Sequence, residues 1–279
     1  MPVHCQDPGD HEKRQMIKHV GRILGLRAAG ARARLARLRL DMADTVVYAI
    51  GDVHGCLDEL LALEDAIVRD AATLPGRKLI IMLGDYVDRG PASAQVLDHL
   101  AAHPPEGLER ICLAGNHELA MLDYLEGRSS LAAWLRMGAE STLQSYGIDH
   151  RRLVEIFRDQ QQVDDAIRRS ISPAHFALLR SMPVLVETAR YIFVHAGVRP
   201  DVPLDRQTDE DLVFIRSAFF ERAHLLSRYV VHGHTPVEQA GREGMRVNLD
   251  TGAFFSGRLT ALRIWQDKGR YLSNLTQED

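Results

Sequence analysis

The chain has 279 residues, of which 26% are charged and 46% are apolar, and these are ordinary values for a globular protein. This length is enough for one large α/β domain or two small ones. The sequence has no run of 18 apolar residues, which argues against a membrane span, and three cysteines without CxxC spacing argue against disulfide stapling and a structural zinc site.

Residues 1–44 differ in charge from the remainder of the chain. They carry nine basic and five acidic groups, a net charge of +4, and the remainder carries −8. No apolar signal-peptide segment opens this stretch, so we expect a cytoplasmic protein. We predict a basic N-terminal extension, either a solvated segment or a basic helix that contacts an anionic membrane or an acidic partner. Gly21, Gly25 and Gly30 interrupt its apolar face and favour the solvated segment.

Strands and helices alternate from Thr45 onward. Strands are predicted at buried apolar runs, and helices where apolar residues recur on one face. In chain order, the predicted elements are a strand at Thr45–Ile50, a helix at Leu57–Ala71, a strand at Lys78–Leu83, a helix at Pro91–Ala102, a strand at Ile111–Ala114 and a helix at His117–Leu125. This alternation predicts a parallel sheet with right-handed crossovers.

The pattern changes after Leu125. Residues 126–181 mix apolar and polar groups without a strand pattern, and we predict a helical insertion there. Further strands follow, and their succession predicts a second sheet: Val184–Glu187, Tyr191–Val194, Tyr229–Val231, Met245–Leu249 and Leu259–Ile264. The predicted fold class is therefore α/β, with one domain at 45–279 that forms a two-sheet sandwich flanked by helices.

Polar motifs stand where five of the predicted strands end. They are Gly51-Asp-Val-His-Gly55, Gly84-Asp-Tyr-Val-Asp-Arg-Gly90, Gly115-Asn-His-Glu118, His195-Ala-Gly197 and Gly233-His-Thr235. Open α/β sheets bind ligands at the carboxyl ends of their strands. Asp52, Asp85 and Asn116 are about one βαβ unit apart, so their strand ends should be neighbours. Aspartate, histidine and asparagine without cysteine suit Mn²⁺, Fe or Zn²⁺, and one carboxylate can bridge two such ions.

In this order, the five motifs resemble the signature of the phosphoprotein phosphatases, which belong to the calcineurin-like metallophosphoesterases. The resemblance covers roughly residues 45–264 and implies a metallophosphoesterase fold with two divalent metal ions, for which we expect Mn²⁺, with Fe or Zn²⁺ as alternatives. It implies six metal ligands: Asp52 and His54 for the first ion, the bridging Asp85, and Asn116, His195 and His234 for the second.

The resemblance also implies which groups act on the phosphate. A water that bridges the metals would attack phosphorus, His117 would protonate the leaving oxygen, and Asp88 would orient the His117 imidazole. Arg89 would bind phosphate through its planar guanidinium. Arg216 is a candidate for a second phosphate arginine by similarity to bacterial members, and an ordinary surface arginine is the alternative.

The function that this resemblance implies is that of a bacterial serine/threonine protein phosphatase, acting on a phosphoprotein or a small phosphate ester. Glu118 and the proline after the last motif favour it over a symmetrical hydrolase of dinucleoside polyphosphates such as diadenosine tetraphosphate. A third hypothesis, an inactive scaffold that binds phosphoproteins, is disfavoured because every matched ligand and the acid are present. We expect no nucleic-acid partner.

Overall fold

Two mixed β-sheets form the centre of the computed structural model, which describes residues 33–275. Within this range the strands are β1 (Arg37–Arg39), β2 (Thr45–Ile50), β3 (Arg77–Met82), β4 (Glu109–Cys112), β5 (Leu185–Glu187), β6 (Tyr191–Val194), β7 (Tyr229–His232), β8 (Gly241–Glu243), β9 (Arg246–Asn248), β10 (Thr260–Trp265) and β11 (Lys268–Ser273).

The first sheet has the strand order β11-β10-β2-β3-β4. Its strands β2, β3 and β4 are parallel, as the alternation of strands and helices predicts. The predicted strand at Leu259–Ile264 corresponds to β10 but lies antiparallel to β2 in this sheet, so its expected place in the second sheet was wrong. The apolar pattern of a strand indicates burial without identifying the neighbouring strand, which long-range pairing decides.

The second sheet has the order β1-β5-β6-β7-β9-β8, in which β6, β7 and β9 are parallel neighbours. Side chains from both sheets meet in one apolar layer, which includes Val47, Leu79, Ile81, Phe193, Val231 and Val247. The alternate residues of β2, such as Val46 and Tyr48, face the helices instead. This confirms the predicted two-sheet α/β sandwich, whose central strand is apolar on both faces because both are covered.

Helices cover the outer faces of the sandwich. In the described range the α-helices are α1 (Leu57–Ala71), α2 (Ser93–Ala101), α3 (Asn116–Leu125), α4 (Leu131–Leu135), α5 (Ala139–Ser145), α6 (His150–Ile156), α7 (Gln160–Ser170), α8 (Pro173–Ser181), α9 (Asp209–Phe214), α10 (Ser217–Glu221) and α11 (Ala253–Ser256). The predicted insertion at 126–181 thus contains α4 to α8. Among the described helices, none combines the length and apolar composition that crossing a membrane requires.

The segment that precedes β2 belongs to the folded body from Arg34 onward, so the predicted extension at 1–44 was drawn too long. Strand β1 pairs in parallel with β5, and Arg37 forms an ion pair with Asp209 of α9 at 2.7 Å. Arginine and leucine alternate from Arg37 to Leu40, which is a strand period within the segment for which a basic helix was considered from the sequence. The proposed membrane or acidic-partner contact falls on residues 1–32, which lie outside the described range.

A chain that begins at Asp41 should be less stable than one that begins at Ala33, by about 2 kcal/mol, because it loses β1 and the packing of Leu35 and Leu38. Urea unfolding of the two truncated chains measures the difference as a shift of the midpoint at equal slope. Equal midpoints would show that β1 adds nothing to the stability of the body.

Candidate metal centre

The polar motifs come together where strands of both sheets end. The backbone N–H of Val53, after β2, donates to the Asp85 carbonyl after β3 at 3.0 Å. In the second sheet, the Gly233 N–H donates to the His195 carbonyl at 2.8 Å. His195 Nδ1 lies 3.2 Å from the Leu83 carbonyl oxygen, and this contact joins the two sheets. The carboxyl ends of β2, β3, β6 and β7 therefore enclose one site.

Asp85 is shared by two groups of buried donor atoms. His54, Asp85 and His117 form one group and Asp85, His195 and His234 the other, and within each group the donor atoms lie within 4.8 Å of one another. Asp85 Oδ2 lies 3.5 Å from His54 Nε2, and Oδ1 lies 3.4 Å from His195 Nε2. Because its two oxygens face different histidines, this carboxylate has the arrangement needed to bridge two cations.

Asn116 and Asp52, the other predicted ligands, adjoin these groups. Asn116 Oδ1 lies 2.9 Å from His195 Nε2. The Asp52 carboxylate is buried and accepts the backbone N–H of His234 at 3.0 Å. The first group contains His117, which the sequence analysis expected as the acid, and Asp52 is in neither group. The structure nevertheless brings all six predicted ligands to one place.

Backbone carbonyls fix the orientation of two of the histidine rings. His54 Nδ1 donates to the Val87 carbonyl at 2.9 Å, and His195 Nδ1 donates to that of Leu83. Each ring therefore directs Nε2 toward Asp85. A hydrogen bond of this kind to the second nitrogen is the usual support of a metal-binding imidazole.

The electrostatics of the site fit divalent cations. Burial, followed by the charges of Asp250 and Asp85, raises the pKa of Asp52 well above its usual value. Burial also lowers the pKa of His54 and of His234 to about 3, so both imidazoles are neutral, which is the form that binds metals. Two divalent cations would supply positive charge to these closely spaced carboxylates. Asp250, in the loop after β9, was missed by the sequence analysis, although its Asn-Leu-Asp-Thr-Gly context resembles the other motifs.

The backbone at the site is strained. His54, Asp85, Asp88, Arg89 and His234 all have φ between 45° and 69°, which is the left-handed region that favours glycine. Among the described residues, the other non-glycine positions of this kind are Asp44, Gln266 and Asp267. Such conformations cost about 1–3 kcal/mol each and concentrate at functional sites, so their position here supports the assignment.

The Glu118 carboxylate holds this strained loop in place. It accepts the backbone N–H groups of Asp85 and Tyr86 at 2.7 Å each, that of Val87 at 3.2 Å and that of Gly115 at 2.9 Å. From the sequence, Glu118 served only to distinguish substrates, although its place in the Gly115-Asn-His-Glu118 motif was the signal of a structural role. Removing this acceptor would leave four buried donors without their partner.

Two motif glycines make room for the carboxylates. A Cβ atom at Gly115 would lie 2.2 Å from Asp85 Oδ1, and one at Gly233 would lie 1.9 Å from Asp52 Oδ1. Both distances are far shorter than any tolerable contact. Here the absence of a side chain makes room for the carboxylates of Asp85 and Asp52, the predicted metal ligands.

His117 and Asp88 form a buried pair, with His117 Nδ1 2.7 Å from Asp88 Oδ2. The insertion orients this carboxylate, since Trp134 Nε1 donates to Oδ2 at 3.2 Å and the Thr142 hydroxyl donates to Oδ1 at 2.7 Å. Burial lowers the pKa of His117, but the carboxylates of Asp85 and Asp88 outweigh it and hold that pKa above its usual value. A protonated imidazole in this position suits a general acid.

Arg89 and Arg216 each contact one of the two donor groups, which form the two ends of the centre. Arg89 Nη1 lies 3.0 Å from Nε2 of His54, in the first group, and Arg216 Nε lies 3.1 Å from Nε2 of His234, in the second. Arg216 also donates to the His234 carbonyl at 3.4 Å. The structure therefore places Arg216 at the site and not on an unrelated surface.

Comparisons with known proteins agree with this geometry. The family described as calcineurin-like phosphoesterase matches residues 45–256. The asymmetrical bis(5'-nucleosyl)-tetraphosphatase PrpE of Anoxybacillus flavithermus is 26% identical over 234 residues, and that of Geobacillus thermodenitrificans is 30% identical over 237 residues. Each alignment covers 77% of this chain and 88% of the relative. A crystal structure of a provisionally assigned diadenosine tetraphosphatase superposes with a TM-score of 0.56 at 18% identity, covering 87% of this chain and 99% of the other, which shows a shared fold.

Divalent metal should stabilise the folded chain, because cations that bind only the folded state relieve the repulsion among Asp52, Asp85 and Asp250. At a free Mn²⁺ concentration of 100 times Kd, the gain is about 2.7 kcal/mol. Thermal unfolding with Mn²⁺ and with excess chelator measures it. Asp85→Asn should lose most of the shift, and Asp165→Asn, on α7 with a side chain that is 46% exposed, should retain it. If the unfolding midpoint of the wild-type chain is the same with Mn²⁺ and with chelator, the result would contradict the assignment.

Proposed function

The chain belongs to the calcineurin-like phosphoesterase family, and on this premise we propose that it hydrolyses dinucleoside polyphosphates. The observation that carries the proposal is the arrangement of cationic groups along the centre, where Asp85 joins two donor groups and Arg89 and Arg216 stand at the two ends. Two divalent cations between two guanidinium groups form an extended positive site. A chain of phosphates carries several adjacent negative charges and matches this length of positive charge better than one phosphate does.

The names of the relatives support the same substrate class. Both PrpE proteins described above are named asymmetrical bis(5'-nucleosyl)-tetraphosphatases. We therefore propose asymmetrical cleavage, in place of the symmetrical cleavage considered from the sequence.

The residues of the site divide the chemistry among themselves. When bound, two divalent cations would activate water and neutralise phosphate charge. Arg89 and Arg216 hold phosphate oxygens from the two ends, so that phosphorus is fixed against the centre. His117 directs Nε2 toward Asp85, from which position it can deliver a proton to the leaving oxygen. Asp88 accepts a hydrogen bond from the other ring nitrogen, Nδ1, and so holds the ring in this orientation.

The His117–Asp88 pair favours a second candidate, a serine/threonine protein phosphatase. A serine alkoxide is a poor leaving group and needs a proton from a general acid, whereas a nucleotide leaves as a stable phosphate anion. The buried acid is thus of most use for a phosphate monoester of an alcohol. This observation keeps the phosphoprotein hypothesis as the alternative substrate class.

Steady-state rates on diadenosine tetraphosphate and on a phosphoserine peptide, with one metal-loaded preparation, test the proposal. We expect kcat/KM to be at least about 10-fold higher for diadenosine tetraphosphate, a difference that corresponds to about 1.4 kcal/mol in transition-state binding. Asymmetrical cleavage gives AMP and ATP, and symmetrical cleavage gives two ADP. Faster turnover of the peptide would favour the phosphatase instead.

Replacing His117 should impair substrates according to their leaving groups. His117→Asn should lower kcat on the phosphoserine peptide by roughly 10²–10⁴-fold. It should affect an aryl phosphate much less, because a phenolate leaves without protonation. His103→Asn, at an exposed position after α2, is the matched control. Equal losses on both substrates would argue against the acid role.

A further inference from the structure

Exposed phenylalanine rings flank the metal centre at both ends. The Phe254 ring lies 5.4 Å from the ring of His54, and the Phe214 ring lies 6.4 Å from that of His234. Phe214, Phe254 and Phe255 are 47%, 37% and 64% exposed. His54 and His234 belong to different donor groups, so the exposed rings stand at opposite ends of the site. Exposed apolar surface beside a cluster of polar side chains is typical of a ligand-binding region.

The Phe255 ring is exposed but supported from below. It lies over Gly252, where a Cβ atom would come within 2.1 Å of the ring. Its edge packs against Phe254 at 4.9 Å and 89° between the ring planes. The Arg89 guanidinium in turn lies 5.0 Å from the Phe254 ring centroid. The Phe255 ring is therefore held in position. It loses little conformational entropy when a ligand stacks on it.

The same kinds of chemical group stand at both ends of the centre. At one end, Arg89 contacts both His54 and the Phe254 ring. At the other, Arg216 and the Phe214 ring both contact His234. Beside the predicted metal ligands, each end therefore offers a guanidinium cation and an aromatic ring close together. A nucleotide presents the matching pair of an anionic phosphate and a flat base.

We propose that Phe255 and Phe214 are stacking surfaces for the two nucleobases of a dinucleoside polyphosphate, one at each end of the metal centre. This inference rests on the proposed function for its substrate class. Aromatic rings stack on any base, so they contribute affinity without discriminating between bases by their hydrogen-bond donors and acceptors. A phosphopeptide, with one phosphate and no base, would leave at least one of these rings without a partner.

Equilibrium binding of AMP and ribose 5-phosphate isolates the contribution of the base. Calorimetry measures the dissociation constants of the two ligands on the full Mn²⁺-loaded chain. The His117→Asn variant is used to slow turnover. We expect AMP to bind about 10-fold more tightly than ribose 5-phosphate, and the difference to vanish in the Phe214→Ala/Phe255→Ala double variant. Phe255→Tyr should keep an aromatic face and the affinity, whereas Phe255→Leu should lose it. Equal binding of the two ligands to the chain that retains both rings would overturn the proposal.

Kinetics supply the second measurement. Phe255→Ala and Phe214→Ala should each raise KM for diadenosine tetraphosphate by about 10-fold and leave kcat nearly unchanged. Hydrolysis of tripolyphosphate, which has no base, should stay at the wild-type rate. Tyr271→Ala is the matched control, since it removes a 42% exposed ring from β11. Parallel losses on tripolyphosphate, or losses confined to a phosphoserine peptide, would refute the stacking role. Failure of the wild type to cleave diadenosine tetraphosphate would count against the proposed function, while the AMP comparison still tests the rings.

Discussion

The four hydrogen bonds that Glu118 accepts are the constraint on which the site depends. They fix the loop after β3 through the N–H groups of Asp85, Tyr86 and Val87, and they tie this loop to Gly115 at the start of α3. The same loop carries the shared Asp85 carboxylate, the Asp88 partner of His117, and Arg89. Because Asp85 is held in a left-handed conformation, its two oxygens face different histidines. One buried carboxylate thus converts a strained loop into a rigid support for two donor groups.

The helical insertion is joined to this support. Trp134 is fully buried in the main apolar core, and its indole N–H and the Thr142 hydroxyl both bind the Asp88 carboxylate. The sequence analysis could not assign this insertion a role, because nothing in a helical apolar pattern indicates which polar group a buried tryptophan will meet. In the structure, Trp134 of α4 and Thr142 of α5 hold the Asp88 carboxylate, which in turn contacts the His117 ring. The insertion therefore reaches the candidate site through Asp88.

The sequence predicted those features that depend on local patterns. Apolar runs located β2, β3 and β4, and the motif residues located the donors, because each motif follows directly from a strand end. Features that depend on partners distant in the chain could not be predicted from the sequence. Strand β10 enters the first sheet by pairing with β2, and β1 is held by Asp209. Asp250 and Phe255 were likewise missed, since a loop carboxylate and an exposed ring gain significance only from what the fold brings beside them. The strained conformation of Asp88 and Arg89 also has no signature in composition.

The distribution of donors along the chain has a consequence for biogenesis. His54, Asp85 and His117 come from one stretch of the first sheet and its helices, whereas His195 and His234 come from the second sheet. The contact between Asp52 and His234 spans 182 positions. During synthesis on the ribosome, the first group of ligands emerges complete long before the second. The second group, and the contact between Asp52 and His234, can form only after residues up to His234 have left the exit tunnel.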